Sequence, residues 1–259
     1  MKLGVIFAAY SVPEYINQSL NPWIEAKKRY NISIAAVSCV YKEYAEMNVT
    51  PDLESPLILK NRLDNKEIDY LYTGQSGLLE QEHVIRNYAL QYLLNNECDY
   101  ILILDSDEFY SSDEIDSLIS YINRNQMVPW FKIEFKNVVF DGTKYVKGFC
   151  PPRIFKTEVK DFKINRLYWD NDLLYLNKLT KQELSHEQFA SVKVPIKLVN
   201  PKHMTWLNDL RSKLKIEYQR NHFSSNGCSY KWNDEENRLE FDYDFYKRTG
   251  QQVPEVVNI

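Results

Sequence analysis

Short apolar stretches alternate with helical stripes through the first half of the chain. Leu3–Ala9, Ile32–Val40, Ile68–Tyr72 and Tyr100–Leu104 are apolar-rich and bounded by turn residues, the pattern of strands buried on both faces of a parallel sheet. Between the first two, a helix is expected from the loop Tyr10–Tyr15 toward Tyr30, with Pro22 kinking or restarting it. From Gln81 to Asn96 the positions Ile85, Tyr88, Ala89, Tyr92 and Leu93 recur at helical spacing and define one buried stripe. Ser111-Ser-Asp-Glu114 reads as a capping box heading an amphipathic helix through Ile115, Leu118, Ile119 and Ile122. Residues 48–66, polar and with two prolines, read as a surface insertion around a short helix. This alternation predicts an α/β fold: a mainly parallel central sheet with helices on both faces.

The second half is less regular. Trp130–Phe140 has strand character, and Asp141-Gly142 turns it into a second strand across Lys144–Phe149, continued by Cys150–Phe155 as a small second sheet. Residues 161–190 read as loop-rich and aromatic, 192–199 as a last strand, and Leu207–Asn221 as a charged amphipathic helix. The tail from Asn226 reads as polar and aromatic, without a core of its own.

With 259 residues, 44% hydrophobic and 26% charged, the chain has ordinary globular composition and length enough for a substantial core. A net charge of −4 and a pI near 5.7 offer no broad basic surface, which disfavours a nucleic-acid partner while leaving room for a local patch. The widely spaced Cys39, Cys98, Cys150 and Cys228 form no C-x-x-C and suit reduced thiols in the cytoplasm. No apolar run approaches the roughly 20 residues of a membrane helix, so any membrane association is expected to be peripheral. The apolar run Leu3–Ala9 is too short for a signal peptide and reads as the first strand.

The chemistry concentrates after the most apolar strand, at Asp105-Ser106-Asp107-Glu108. Ligands of parallel sheets collect at the carboxyl ends of strands. In extended backbone, residues two apart leave the same side. Two carboxylates so placed repel unless something positive lies between them, and a hard cation such as Mg²⁺ or Mn²⁺ suits their oxygens. Asp and Ser after a strand also serve as turn formers and caps. Gly74-Gln-Ser-Gly77 is a weak phosphate signal, and with seven glycines in all there is no glycine-rich nest for a diphosphate; metal and Arg or Lys would have to supply positive charge. Arg86 and Asn87 lie beside the helical stripe, where spacing alone leaves Arg86 as readily solvated as placed at a site.

Arg86-Asn87 on a helix, the apolar strand Tyr100–Leu104 and the run Asp105-Ser-Asp-Glu-Phe109 together resemble the GT-A glycosyltransferases, in particular their family-2-like group. The resemblance covers roughly residues 3–110 and extends more weakly to a segment around His203. It implies a GT-A domain whose residues 1–110 bind a nucleotide sugar and 111–210 an acceptor, followed by a C-terminal helix and tail at 211–259. It places Ala9, Tyr10 and Glu14 along the nucleotide, Arg86 near the diphosphate, and Asp105 and Ser106 against the donor. Asp107, Asp105 and His203 become metal ligands, a mixed carboxylate and imidazole set that leans toward Mn²⁺ over Mg²⁺. Where many members carry an Asp pair for the base or ribose, this chain has Ser38-Cys39-Val40-Tyr41, so UDP is expected only as the family's commonest nucleotide.

The implied reaction moves a sugar from a nucleotide-diphosphate sugar to a hydroxyl of a glycan, lipid-linked or surface-polysaccharide acceptor. Asp170 and Asp172, in the aromatic stretch of the acceptor half, are the expected general bases, and each would serve equally well as a loop cap. A phage-type enzyme acting on modified DNA bases is an alternative that predicts salt-dependent duplex binding. A non-catalytic nucleotide- or sugar-binding module is another. A metal-dependent phosphatase or nuclease would need more strand-end carboxylates than the sequence places.

Overall fold

A computed structural model of the chain describes residues 1–42, 45, 52–74, 80–140, 142–169, 172–204, 206, 209–222 and 228–259, without the side chains of 209–211 and 221–222. In chain order its elements begin with β1 (Leu3–Ala8), α1 (Pro13–Lys27), β2 (Ile32–Val37), α2 (Glu54–Asp64), β3 (Tyr70–Tyr72) and α3 (Glu82–Asn95). Then come β4 (Tyr100–Asp105), β5 (Glu108–Phe109), α4 (Ser112–Arg124), β6 (Trp130–Lys132), β7 (Lys136–Val139), β8 (Lys144–Val146) and β9 (Pro152–Lys156). The next group is β10 (Glu158–Val159), β11 (Phe162–Trp169), β12 (Asp172–Asn177), β13 (Glu183–Ser185) and β14 (Ser191–Lys193). The last is β15 (Lys202–His203), α5 (Asp209–His222), β16 (Tyr230–Asn233), β17 (Arg238–Phe241), α6 (Tyr243–Thr249) and β18 (Val256–Asn258). They form two compact units, Met1–Glu134 with Cys150–Pro201, and Phe135–Phe149 with Lys202–Ile259.

The first unit is α/β, as its alternating pattern predicts. Its main sheet has the order β14-β6-β9-β4-β1-β2-β3. β4, β1, β2 and β3 are parallel, and β9 alone runs against its neighbours β4 and β6. The chain steps outward from β1 to β3 and then returns to the far side of β1 as β4. Connections leave these two strands in opposite directions, which opens a crevice at their carboxyl ends. Ala8 and Asp105 face each other in register at that edge.

Every residue of β1 is buried, and so are the first five of β4. The face carrying Ile6, Ala8, Ala35, Val37, Ile101 and Ile103 packs against Ile85, Ala89, Leu90 and Leu93 of α3. The alternate residues Val5, Phe7, Leu102 and Leu104 are equally buried, and α1 packs against β2 and α4. Close approach of α3 depends on Gly4: a Cβ there would lie 2.9 Å from Ile101 Cδ1 and 3.1 Å from Leu93 Cδ1. Tyr88 and Tyr92 do not join the aliphatic stripe. They stack on Tyr72 and Tyr70 with ring centroids 4.0 and 4.8 Å apart, and the Tyr72 and Tyr88 hydroxyls both donate to Glu80.

α1 runs unbroken through Pro22. The capping box is complete: Glu114 N–H donates to Ser111 Oγ at 3.3 Å, and Ser111 N–H donates to Glu114 Oε2 at 2.9 Å. Ser111→Ala is expected to cost about 1 kcal/mol in urea denaturation; a loss indistinguishable from zero would mean that the cap is solvated away.

Other sequence expectations change as well. Residues 161–190 are not loop-rich, since β10-β11-β12-β13 form an antiparallel four-stranded sheet. Its alternation is hidden because bulges between Ile164 and Arg166 and between Leu167 and Trp169 move the buried positions three residues apart. The strand expected over 130–140 is two, β6 and β7, which belong to different units. The strand expected over 192–199 shortens to β14, which pairs with β6 at the sheet edge.

In the second unit β18-β8-β7-β15 follow one another in a sheet, and β16 and β17 form a hairpin. Contrary to the expectation of a coreless tail, this unit has its own apolar cluster. Val139, Val146, Trp206, Ile216, Cys228, Tyr230, Leu239, Phe241, Phe245 and Tyr246 are buried together. Its aromatic residues, polar-looking in their local sequence, converge only because the hairpin and α6 fold onto segments some 90 residues earlier in the chain.

Candidate active site

Asp105 ends β4, and Ser106-Asp107 form a turn before β5 begins at Glu108. The Ser106 N–H donates to the Ala8 carbonyl at 3.0 Å, which draws the chain across the end of β1. Asp105 and Asp107 therefore do not share one side of an extended strand; the turn between them sets their directions separately.

A cluster of charges surrounds Asp105. Arg86 Nη2 donates to its Oδ1 at 2.7 Å, and Arg153 Nη2 donates to its Oδ2 at 3.2 Å. Arg86 also donates to Glu82, one helical turn away, with Nε at 3.0 Å. Arg153 Nε donates to Glu108 Oε1 at 2.9 Å. Both guanidiniums are buried, as is Glu108, while the Asp105 side chain keeps 22% exposure. Arg86 is thus not the solvated residue that helical spacing allows; its burial is compensated by two carboxylates. Burial alone would raise the Asp105 pKa, but the guanidiniums of Arg86 and Arg153 outweigh it and hold the carboxyl below its ordinary range. Glu108 goes the other way. Burial pushes it up to about 8, with Arg153 pulling down only part of that rise.

The remaining expected donor-side residues gather near this edge. Ala9 is buried and its N–H donates to the Val37 carbonyl at 3.0 Å. Tyr10 lies with its ring centroid 5.4 Å from that of Tyr41, and burial, then the charges of Asp52 and Cys39, push its pKa up to about 12. Glu14 is exposed in the first turn of α1. Ser106 and Asp107 are buried. Asn87, beside Arg86, clasps one peptide of β11: its amide donates to the Leu167 carbonyl and accepts from the Leu167 N–H, both at 2.8 Å.

That clasp brings the β11–β12 hairpin to the N-terminal half of α3. Leu167 pairs with Leu173, the neighbour of Asp172. Asp170 lies outside the described residues. Asp172 is 33% exposed and faces His186, whose Nε2 is 3.7 Å from its Oδ1. Burial raises the Asp172 pKa, with His186 opposing.

His203 belongs to the second unit. Its buried ring lies between Phe135 and Phe149, with Nδ1 2.8 Å from Asn137 Oδ1. Among the described residues no three His, Cys, Asp or Glu side chains are grouped so as to hold a metal ion. No helix among them is long and apolar enough to cross a membrane, and the four cysteines are free thiols.

Glu82 and His186 carry no role in the sequence, whereas Arg153, in Pro152-Arg-Ile-Phe155, reads equally as ligand-facing or as a structural ion pair, and here it pairs with Asp105 and Glu108. The Glu82–Arg86 spacing of four on a helix is a readable ion-pair signal, whereas Arg153 and His186 reach their partners only through strand pairing.

No family model matches the chain, and no curated protein matches it. Among solved structures, S. aureus TarS 1-349 aligns with 53% of this chain and 36% of its own, at 18% identity and a TM-score of 0.39. The same protein in complex with UDP-GlcNAc aligns with 53% and 35%, at 20% identity and 0.38. A cytidylyltransferase from Leptospira borgpetersenii serovar Hardjo-bovis aligns with 83% and 87%, at 15% identity and 0.41. The chain thus spans about a third of the TarS chains it matches.

Proposed function

We propose that this chain is a GT-A glycosyltransferase that moves a sugar from a nucleoside-diphosphate sugar to a hydroxyl group, with a glycan or surface polysaccharide as acceptor. The observation that carries the reading is the placement of Asp105-Ser106-Asp107 at the β1/β4 switch point, with Arg86 and Arg153 on the first carboxylate.

In this reading Arg86 and Arg153 keep Asp105 ionised and in one orientation, so its exposed edge accepts hydrogen bonds from the donor's ribose. Asp107 offers hard carboxylate oxygen at the same turn, of the kind suited to Mn²⁺ or Mg²⁺. Such an ion bound through Asp107 supplies charge neutralisation for the departing diphosphate. Tyr10, half-buried and packed on the buried ring of Tyr41, provides aromatic surface at the carboxyl end of β1 for the base. Asp172 takes the proton of the acceptor hydroxyl as its oxygen bonds to the anomeric carbon, while the bond to the diphosphate oxygen breaks and its electron pair leaves with the diphosphate.

Calorimetry of UDP, GDP, CMP and dTDP with the full chain tests this, each in Mn²⁺ and in chelator. One nucleotide, UDP first, is expected to bind at least about tenfold more tightly with metal, and Asp107→Ala to lose that gain. Equal binding with and without metal for every nucleotide would overturn the assignment of the Asp107 turn.

A further inference from the structure

The acceptor-side hairpin carries a polar pair inside an aromatic setting. His186 follows β13, whose Ser185 lies opposite Leu174 of β12, and Ser185 Oγ accepts from the Glu187 N–H to cap the short 3-10 turn His186–Gln188. The imidazole is 1% exposed. Trp130 of β6 and Phe155 of β9 stand edge-on to it, with ring centroids 4.7 and 5.2 Å away. Its Nδ1 accepts from the Leu173 N–H at 3.4 Å. A nitrogen that accepts cannot carry the proton, so this contact favours the tautomer with the N–H on Nε2, the atom facing Asp172.

The more common arrangement, a carboxylate behind an exposed histidine, is reversed. Here the carboxylate reaches solvent and the imidazole lies behind it. We propose that His186 is a positioning residue: its Nε2, 3.7 Å from Asp172 Oδ1, directs its N–H dipole at that oxygen and orients the carboxylate, so that the other oxygen faces the acceptor hydroxyl. This rests on the reading of Asp172 as the base.

The charges around the pair are few. Asp172 faces His186 and Glu187; His186 faces Asp172, Glu187 and, from β6, Lys132, while β9 presents the uncharged Phe155. Burial lowers the His186 pKa, which keeps the ring neutral and a hydrogen-bond donor at neutral pH.

The test uses the full chain and two substitutions. His186→Phe keeps an aromatic ring in the cage without a donor; in His186→Gln the amide nitrogen falls near the position of Nε2. Carbon-detected NMR titration of the Asp172 carboxyl is expected to show a higher pKa in the Phe variant, since loss of a donor to the carboxylate favours its protonated form, and a near-native one in the Gln variant. Nitrogen NMR of the unaltered chain is expected to show neutral imidazole protonated on Nε2. With a transferable donor, the Phe variant's kcat should fall by up to about 10²-fold at little change in donor KM, its acid limb moving to higher pH, and Gln should restore most of it. An Asp172 pKa unmoved in His186→Phe, or a proton found on Nδ1, would overturn the positioning role whatever the reaction. If Asp172→Asn transfers at full rate, the base assignment fails by itself, and with it the role of His186 in catalysis.

Discussion

Arg153→Met lowers the stability of the chain by about 3–5 kcal/mol above the pH of about 8 at which Glu108 ionises, the largest loss expected from a single change here. Arg153 is 2% exposed and holds both Glu108, which is fully buried, and Asp105. Removing it takes one of two guanidiniums from Asp105 and leaves Glu108 with no partner for its charge. The pH dependence carries a sign. The folded pKa of Glu108 is already raised by burial to about 8, and loss of Arg153 raises it further. Its contribution to stability is therefore full below the ordinary glutamate pKa near 4.5 and is lost as pH climbs through the folded value. Urea denaturation should show the Arg153→Met deficit widening as pH rises through about 8, where Glu108 ionises in the unaltered chain but not in the variant. Adding Glu108→Gln should recover much of it, because removing both partners leaves no unpaired charge. A deficit under about 1 kcal/mol, flat with pH, would show that solvent reaches the cluster and that it is an ordinary surface pair.

Asp172→Asn is expected to cut transfer by about 10²-fold or more while leaving nucleotide affinity unchanged, since the proton is removed only on the way to the transition state. The amide keeps the shape of the carboxylate and can still turn its oxygen to His186 Nε2 but cannot take a proton. Asp107→Ala separates from it because binding and turnover should fall together. The two variants compared by calorimetry and by single-turnover transfer thus distinguish an acceptor-side base from a donor-side ligand. Matched losses of donor affinity in both would mean a collapsed site. Full transfer by Asp172→Asn would take the β11–β12 hairpin out of the chemistry.

Several of these residues were visible in the sequence and others were not, for physical reasons. The strands β1, β2 and β4 announce themselves because burial on both faces requires unbroken apolar runs, and α4 because a capping box is a local interaction within four residues. The position of Asp105 at a strand end follows from the same local pattern. Its environment does not. That Arg86 is buried depends on Glu82 and Asp105 meeting it, and Arg153 reaches Asp105 and Glu108 only because β9 runs antiparallel beside β4. The four-stranded sheet escaped because its bulges erase the two-residue period that reveals a strand. The second unit's core escaped because its aromatic members sit among polar neighbours and meet Val139 and Val146 only across some 90 residues of sequence. What the sequence determined by itself were the features made by neighbours along the chain: the parallel α/β core, the capped helix and the carboxylates at the end of β4. Tertiary structure alone decided which charges pair, which imidazole stands behind Asp172 and where the second core lies, because each depends on strands and loops brought together from distant stretches of the chain.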